Sequence, residues 1–291
     1  MTMTEVYRQT IVGPPVAPPR HSLIGALTTV DEPGVRWEGG YTFVSELGPT
    51  HAAEVLDGCL SWEPTTLEGG PHAVTVDPVA LWASDDCTTT LGTRTRDWQG
   101  QVRRKLNAYG SFDLARHVWA NVLAPWVSTS GGSVDRSPAA ALGKLEEALG
   151  LALQGVLGTV WCQPTALTAL VAAGAIRLDG ARYVTPMGHP VVADAGFGGY
   201  PPDTASPGGS QAEDFWMVGT GPARVRLGPI EVTDPTSIAG IDPTRNTVAV
   251  TAWRVAAVEV EPLVWHDPIQ GGGTVEPPYA EAYAITGAEP A

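Results

Sequence analysis

The chain has 291 residues, 43% of them hydrophobic, enough to bury an ordinary core in one large domain or two modest ones. Its net charge of −14 and its only two lysines, Lys105 and Lys144, leave counterion release from a phosphate backbone without a driving force, so DNA contact is expected to be non-specific at most. The 34 Gly and 26 Pro have no fixed period, which points to turns, strands and extended arms with few helices.

No run approaches the roughly 18 apolar residues needed to span a bilayer, so no membrane partner is expected. Met1-Thr-Met-Thr-Glu-Val-Tyr lacks a basic stretch followed by an apolar one, and the expectation is synthesis in the cytoplasm without export.

Residues 13 to 20, Gly-Pro-Pro-Val-Ala-Pro-Pro-Arg, read as an extended arm because proline fixes φ and lacks an amide donor. Residues 35 to 90 mix short β-favouring runs (Tyr41-Thr-Phe-Val, Ala73-Val-Thr-Val, Val79-Ala-Leu-Trp) with Gly and Pro, the pattern of hairpins with long loops. Trp98, Val102 and Leu106 recur at a helical interval from Asp97 to Tyr109, with Gly110 as the expected stop. Ser111 is then expected to cap a second helix, faced by Phe112, Ala115, Val118, Trp119 and Val122 and ended by Pro125.

Ser137-Pro138 reads as an N-cap with proline at the first helical position, opening a helix over 138–154. Its apolar stripe holds Leu142, Leu145, Leu149, Ala152, Leu153 and Val156, with Lys144, Glu146 and Glu147 off it. A strand at Thr159-Val-Trp-Cys, a helix from Pro164 to Ala173 stopped by Gly174, and a strand pair reaching Tyr183 follow. Pro190-Val-Val-Ala and Phe215-Trp-Met-Val flank a Gly/Pro-rich loop at 196 to 213, expected to be mobile and exposed. After Arg224-Val-Arg-Leu, the alternation from Asn246 to Glu261 predicts the longest strand, and the tail from Gly271 has too little apolar pattern to fold alone.

No phosphate loop, dinucleotide fingerprint, HExxH or GxSxG occurs, and no catalytic, cofactor-binding or metal-binding residue is assigned. Cys59, Cys87 and Cys162 are odd in number and far apart, so reduced structural thiols are expected. None of His21, His51, His72, His117, His189 and His266 lies one helical turn from another histidine. His117 reads as a helix-surface or hydrogen-bonded residue, and His189, between Gly188 and Pro190 with Asp194 nearby, as a turn histidine with a structural bond. Asp85-Asp86 and Glu146-Glu147 are sequence neighbours that point apart and read as solvated charges. Trp82, Trp98, Trp119, Trp161, Trp216 and Trp253, of ten tryptophans in all, fall in predicted elements and read as core or subunit-contact residues.

From Gly158 onward the order of elements resembles the major capsid proteins of the Hong Kong 97 type. Val160-Trp-Cys-Gln-Pro-Thr-Ala-Leu-Thr-Ala-Leu resembles the segment in which a strand delivers Asn/Gln-Pro into a helix, and Arg177-Leu-Asp-Gly-Ala-Arg-Tyr the turn that follows. Met187-Gly-His-Pro-Val-Val-Ala-Asp resembles that family's glycine-x-proline-valine-valine strand. Phe215-Trp-Met-Val-Gly-Thr-Gly-Pro-Ala-Arg-Val-Arg-Leu is similar to the next strand pair, and Asn246-Thr-Val-Ala-Val-Thr-Ala-Trp-Arg-Val-Ala-Ala-Val to the long closing strand with an arginine.

The resemblance implies an α+β fold of the Hong Kong 97 type with an extended N-terminal arm, protruding β-hairpin loop, spine helix and mixed sheets. The expected parts are an arm at 1–35, a hairpin-rich loop region at 36–95, a helical part of a peripheral domain at 96–157, an axial domain at 158–245, the closing strand at 246–267 and a C-terminal arm at 268–291. It implies a non-enzymatic virion shell subunit that self-assembles into pentamers and hexamers, with scaffold, portal or decoration proteins as further partners and no cofactor. Helix 138–154 would be the spine, its stripe packed against the sheet of strand 246–261, and both arms would order only on neighbouring subunits. Encapsulin-type containers share the fold. The rival readings are another virion part, a β-rich hydrolase built on His189 and Asp194, and a carbohydrate-binding module.

Overall fold

All four residues of one short strand, Thr159–Cys162, are buried, which requires cover on both faces of its sheet. The computed structural model describes residues 19–30, 37, 39–44, 73–88, 97–123, 127–129, 137–198, 214–233, 241–242, 247–261 and 280–286. In chain order these form α1 Leu23–Ala26, β1 Thr28–Val30, β2 Tyr41–Val44, β3 Ala73–Val76, β4 Val79–Thr88, α2 Trp98–His117 with a π-helical continuation over Val118–Leu123, β5 Val127–Thr129 and α3 Pro138–Leu153. Then come β6 Thr159–Cys162, α4 Pro164–Ala172, β7 Arg177–Asp179, β8 Arg182–Val184, β9 Pro190–Ala193, β10 Asp214–Thr220, β11 Ala223–Leu227, β12 Glu231–Val232, β13 Ile241–Asp242, β14 Thr247–Val260 and β15 Ala280–Thr286.

β6 sits inside a seven-stranded mixed sheet, order β5-β15-β10-β6-β9-β8-β7. Because side chains alternate across a strand, Val160 and Cys162 share one face with Val191, Ala193 and Met217, and α3 and α4 cover it with Ala141, Leu142, Leu145, Leu149, Leu153, Ala166 and Leu170. Trp161, Val192 and Val218 point the other way, into a second core built on α2 and a six-stranded sheet. That sheet is organised by β14, which pairs β4 along one edge over ten register positions. Along its other edge it pairs β11, β12 and β13, and β1 pairs β11 in parallel.

Several expectations change. The two helices predicted at 97–109 and 111–124 are one: Trp98, Val102, Leu106, Gly110, Leu114 and Val118 step by four straight through Gly110, which is buried within the helix. A glycine costs a helix interior about 1 kcal/mol, less than breaking a stripe packed on a sheet. In the π turn, Val118 and Leu123 both reach the core. Ser111 does not cap; its hydroxyl is used elsewhere, as described below. Phe112, expected on the apolar face, is 41% exposed.

Helix α3 ends at Leu153, because Gln154 turns left-handed (φ 51°). Val156 therefore lies off the stripe and is exposed. The helix packs against β10, β15 and α4 of the seven-stranded sheet, not against the sheet of β14. The helix that packs on β14 and β4 is α2, in the place expected for the helix at 138–154. The consecutive strands β10 and β11 belong to different sheets, and β11, β12 and β13, expected in the axial part 158–245, pair with β14.

The expected arms are shorter on the core side. Residues 19–30 dock onto it, with Leu23, Ala26 and Leu27 buried, and β15, within the expected arm 268–291, pairs β10 over six positions. Phe197, at the start of the loop expected to be exposed over 196–213, is buried between Trp119 and Trp161, with ring centroids 5.3 and 6.0 Å away. The rest of that loop beyond residue 198 lies outside the described residues, as do residues 1–18 and 45–72.

Candidate functional site

Asp194 follows β9 directly and is 5% exposed. Its Oδ2 accepts from the Leu23 amide and the Ser111 hydroxyl, each at 3.1 Å, and its Oδ1 from the Gly196 amide at 2.9 Å. One carboxylate thus ties the N-terminal segment, α2 and its own turn together, helped by the Ala193 amide donating to His21 O at 2.9 Å. Burial pushes its carboxyl above the ordinary range, and the three donors oppose that shift.

His189 precedes β9. Its Nδ1 accepts from the Gly158 amide at 2.9 Å, which leaves the proton of the neutral ring on Nε2. Gly158 is obligatory there, since a Cβ would meet Thr220 O at 2.2 Å. The turn before His189 is closed by Gly188 at φ +98° and by the Thr185 amide donating to His189 O at 3.0 Å. The two residues of the hydrolase reading are therefore not a dyad. They stand five residues apart along an extended strand, roughly 16 Å at about 3.3 Å per residue, and each is occupied by different partners.

Burial holds the His189 imidazole below its ordinary 6.5, with the Glu146 carboxylate pulling the other way. Protonating Nδ1 would also eject the Gly158 bond. Because the folded value lies below the unfolded one, the unfolded chain binds more protons as pH falls below about 6.5 and stability drops there. His117, also lowered by burial, adds the same sign. We expect the denaturation midpoint to fall between about pH 7.5 and pH 5.5, and the fall to be shallower in His189→Asn. Parallel curves for the two proteins would contradict this assignment.

The acidic pairs are not simply solvated. Glu146 Oε1 accepts from the Met187 amide at 2.8 Å, and Asp85 pairs with Lys105 at 3.1 Å; the Asp86 side chain lies outside the described residues. Glu259, 3% exposed on β14, accepts from the Arg224 and Arg226 Nε groups and from the Tyr41 hydroxyl at 2.5 Å. Arg254, the arginine of the long strand, donates from Nε and Nη2 to Gly228 O at 3.1 and 2.9 Å. Composition offered no signal for this cluster, because its members meet only where Tyr41 of the β2–β3 hairpin reaches the paired β11 and β14.

Cys162 is fully buried and its thiol is pushed up to about 12, so it stays protonated and inert. Cys59, His51, His72 and His266 lie outside the described residues, as does the Cys87 side chain. Among the described residues no three His, Cys, Asp or Glu side chains converge on a metal-sized site, and no helix is long and apolar enough to cross a membrane. An open groove of about 390 Å³ between β3, β14 and the end of α2 is lined mainly by valines and alanines, with His117 and Asn121 hydrogen-bonded to each other at its rim, at 3.2 Å.

Of the tryptophans placed in elements, Trp119 and Trp161 are core residues, Trp98 and Trp216 are half-buried, and Trp82 and Trp253 are exposed. Asp194, His189 and Glu259 are thus spent on joining segments, while Trp82 and Trp253 stand exposed as cross-strand partners.

No protein-family model and no curated protein matches the chain. Solved structures do. A structure from Mycobacterium phage Ogopogo is 13% identical, with 96% of each chain covered and a TM-score of 0.52. The capsid of an empty GTA particle is 13% identical over 99% of this chain and 95% of that one, TM-score 0.50. The holo-SrpI encapsulin complex of Synechococcus elongatus PCC 7942 is 11% identical over 96% of this chain and 92% of that one, TM-score 0.51.

Proposed function

We propose that this chain, which has the Hong Kong 97-type fold, is a structural shell subunit: a major capsid protein that self-assembles through pentamers and hexamers into an icosahedral phage head enclosing DNA. The observation that carries the reading is the extent of the likeness, which takes in both sheets and nearly the whole chain rather than one motif. Three buried polar residues support a structural role, since Asp194, His189 and Glu259 are each hydrogen-bonded by partners from other segments. No catalytic residue is assigned. A net charge of −14 suits a wall that encloses DNA without adhering to it. The role calls for scaffold, portal or decoration proteins as partners and for a place in the virion after synthesis in the host cytoplasm.

The likeness to an encapsulin complex at a similar TM-score keeps a protein-filled container as the second reading. Electron microscopy of the purified chain tests both. Closed shells are the expected result, and packaged DNA or protein cargo in native particles separates the two readings. A chain that stays dispersed both alone and with its native partners would overturn the shell role.

A further inference from the structure

β4 is an edge strand. Its ten residues pair with β14 without a bulge, and among the described residues no strand meets its outer edge. The direction of its backbone groups follows from β14. The Thr251 and Val255 carbonyls accept from the Thr233 and Gly228 amides on the far side, at 2.9 and 2.8 Å. Backbone groups alternate between edges along a strand, so those of Ala252 and Arg254 face β4 and bond their register partners Ala83 and Leu81. The amides and carbonyls of Ala80, Trp82 and Ser84 consequently point away from the sheet.

The side chains of the same three residues stand on the sheet face opposite α2, and all three are exposed. Trp82, 66% exposed, is the direct cross-strand partner of Trp253, 37% exposed, in a non-hydrogen-bonded pair whose side chains lie closest. Thr251 and Val255 flank Trp253, and Trp37 packs beside Val255. Glu231, paired with Trp253 from β12, is an ionisable group at the border of this face.

Native proteins blunt long edge strands with lysine, proline or bulges. Over Ala80–Ser84 this strand has none of these and instead presents a tryptophan; its charged residues, Asp85 and Asp86, come only at the far end of the pairing. We infer that the outer edge of β4 and the Trp82–Trp253 pair form a subunit contact, to which a segment of a second copy of this chain adds as a further strand and packs across both indoles. The occupant is a second copy for two reasons. Main-chain pairing requires a polypeptide, and the neighbours of a shell subunit are copies of itself; because copies each carrying a charge of −14 repel, the apolar stretch Ala80–Ser84 is where such a contact costs least. This rests on the shell reading above.

The test compares wild type with Trp82→Ala and Ser84→Pro. Proline at 84 removes an outward amide and no bond to β14, so both variants should keep the wild-type circular dichroism and lose particle yield by about tenfold or more. Hydrogen exchange on wild type is the second readout and needs no variant: the Trp82 and Ser84 amides should exchange fast in dissociated subunits and slowly in particles, while Leu81 and Ala83 stay slow in both. Shells from wild type with full yield in both folded variants, or with Trp82 and Ser84 amides equally fast in particles and subunits, overturn this contact and leave the shell reading standing. A wild type that never assembles overturns both.

Discussion

Asp194→Ala should lower the unfolding free energy by about 3 to 5 kcal/mol, seen as a drop in denaturation midpoint with loss of protection at residues 19–30. The substitution strands the Leu23 and Gly196 amides and the Ser111 hydroxyl, and each buried donor left without an acceptor costs about 1 to 3 kcal/mol. The lost burial cost of the carboxylate, visible in its raised titration, offsets part of that sum. Asp194→Asn keeps one acceptor oxygen and should cost less, and Ser111→Ala, which removes one donor to Asp194 and the long 3.4 Å contact from the Ile24 amide, about 1 kcal/mol. Equal stability of Asp194→Ala and wild type would mean that the N-terminal segment is not held by this residue. Turnover of a substrate abolished in Asp194→Ala but retained in Ser111→Ala would instead revive the hydrolase reading.

Leu149→Ala should cost about 2 to 5 kcal/mol, because the side chain is fully buried between α3 and the seven-stranded sheet. Leu145→Ala should behave alike. A Cβ at Gly219 on β10 would lie 3.0 Å from Leu149 Cδ2 and 2.8 Å from Leu145 Cδ1, so Gly219→Ala alone overpacks the interface and should cost about 1 to 3 kcal/mol. In the Leu149→Ala background the same change fills part of the cavity, and its cost should shrink or change sign, a coupling that chemical denaturation of the four proteins measures. Strict additivity would place α3 elsewhere. Glu147→Ala, at an exposed position, should stay within about 0.5 kcal/mol, whereas Glu146→Ala loses the Met187 bond and should cost about 1 kcal/mol.

Elements with local punctuation were legible from the chain. Pro138 and Pro164 open α3 and α4, Gly174 at φ +63° follows α4, Gly180 at φ +59° turns β7 into β8, and the alternation from 247 to 260 marks β14. The buried, bonded turn histidine at 189 was legible too, from its place between Gly188 and Pro190. For these elements the sequence by itself thus determined the secondary structure and the apolar face, because capping, proline geometry and periodicity act within a few residues.

Only the tertiary structure decided what covers each face. An apolar stripe has no address: Leu145 and Leu149 fit under β10 because Gly219 leaves room for them, and that complementarity joins residues some 70 positions apart. Gly110 stays helical because its neighbours on the stripe are held against the sheet of β4 and β14. β10 and β11, two residues apart, part into different sheets, since the edges available to them lie on β6 and β15 for one and on β14 and β1 for the other. Asp194, Ser111 and Leu23 meet for the same reason: a buried carboxylate takes whatever donors the packing brings, and the chain order of the three gives no hint of the encounter.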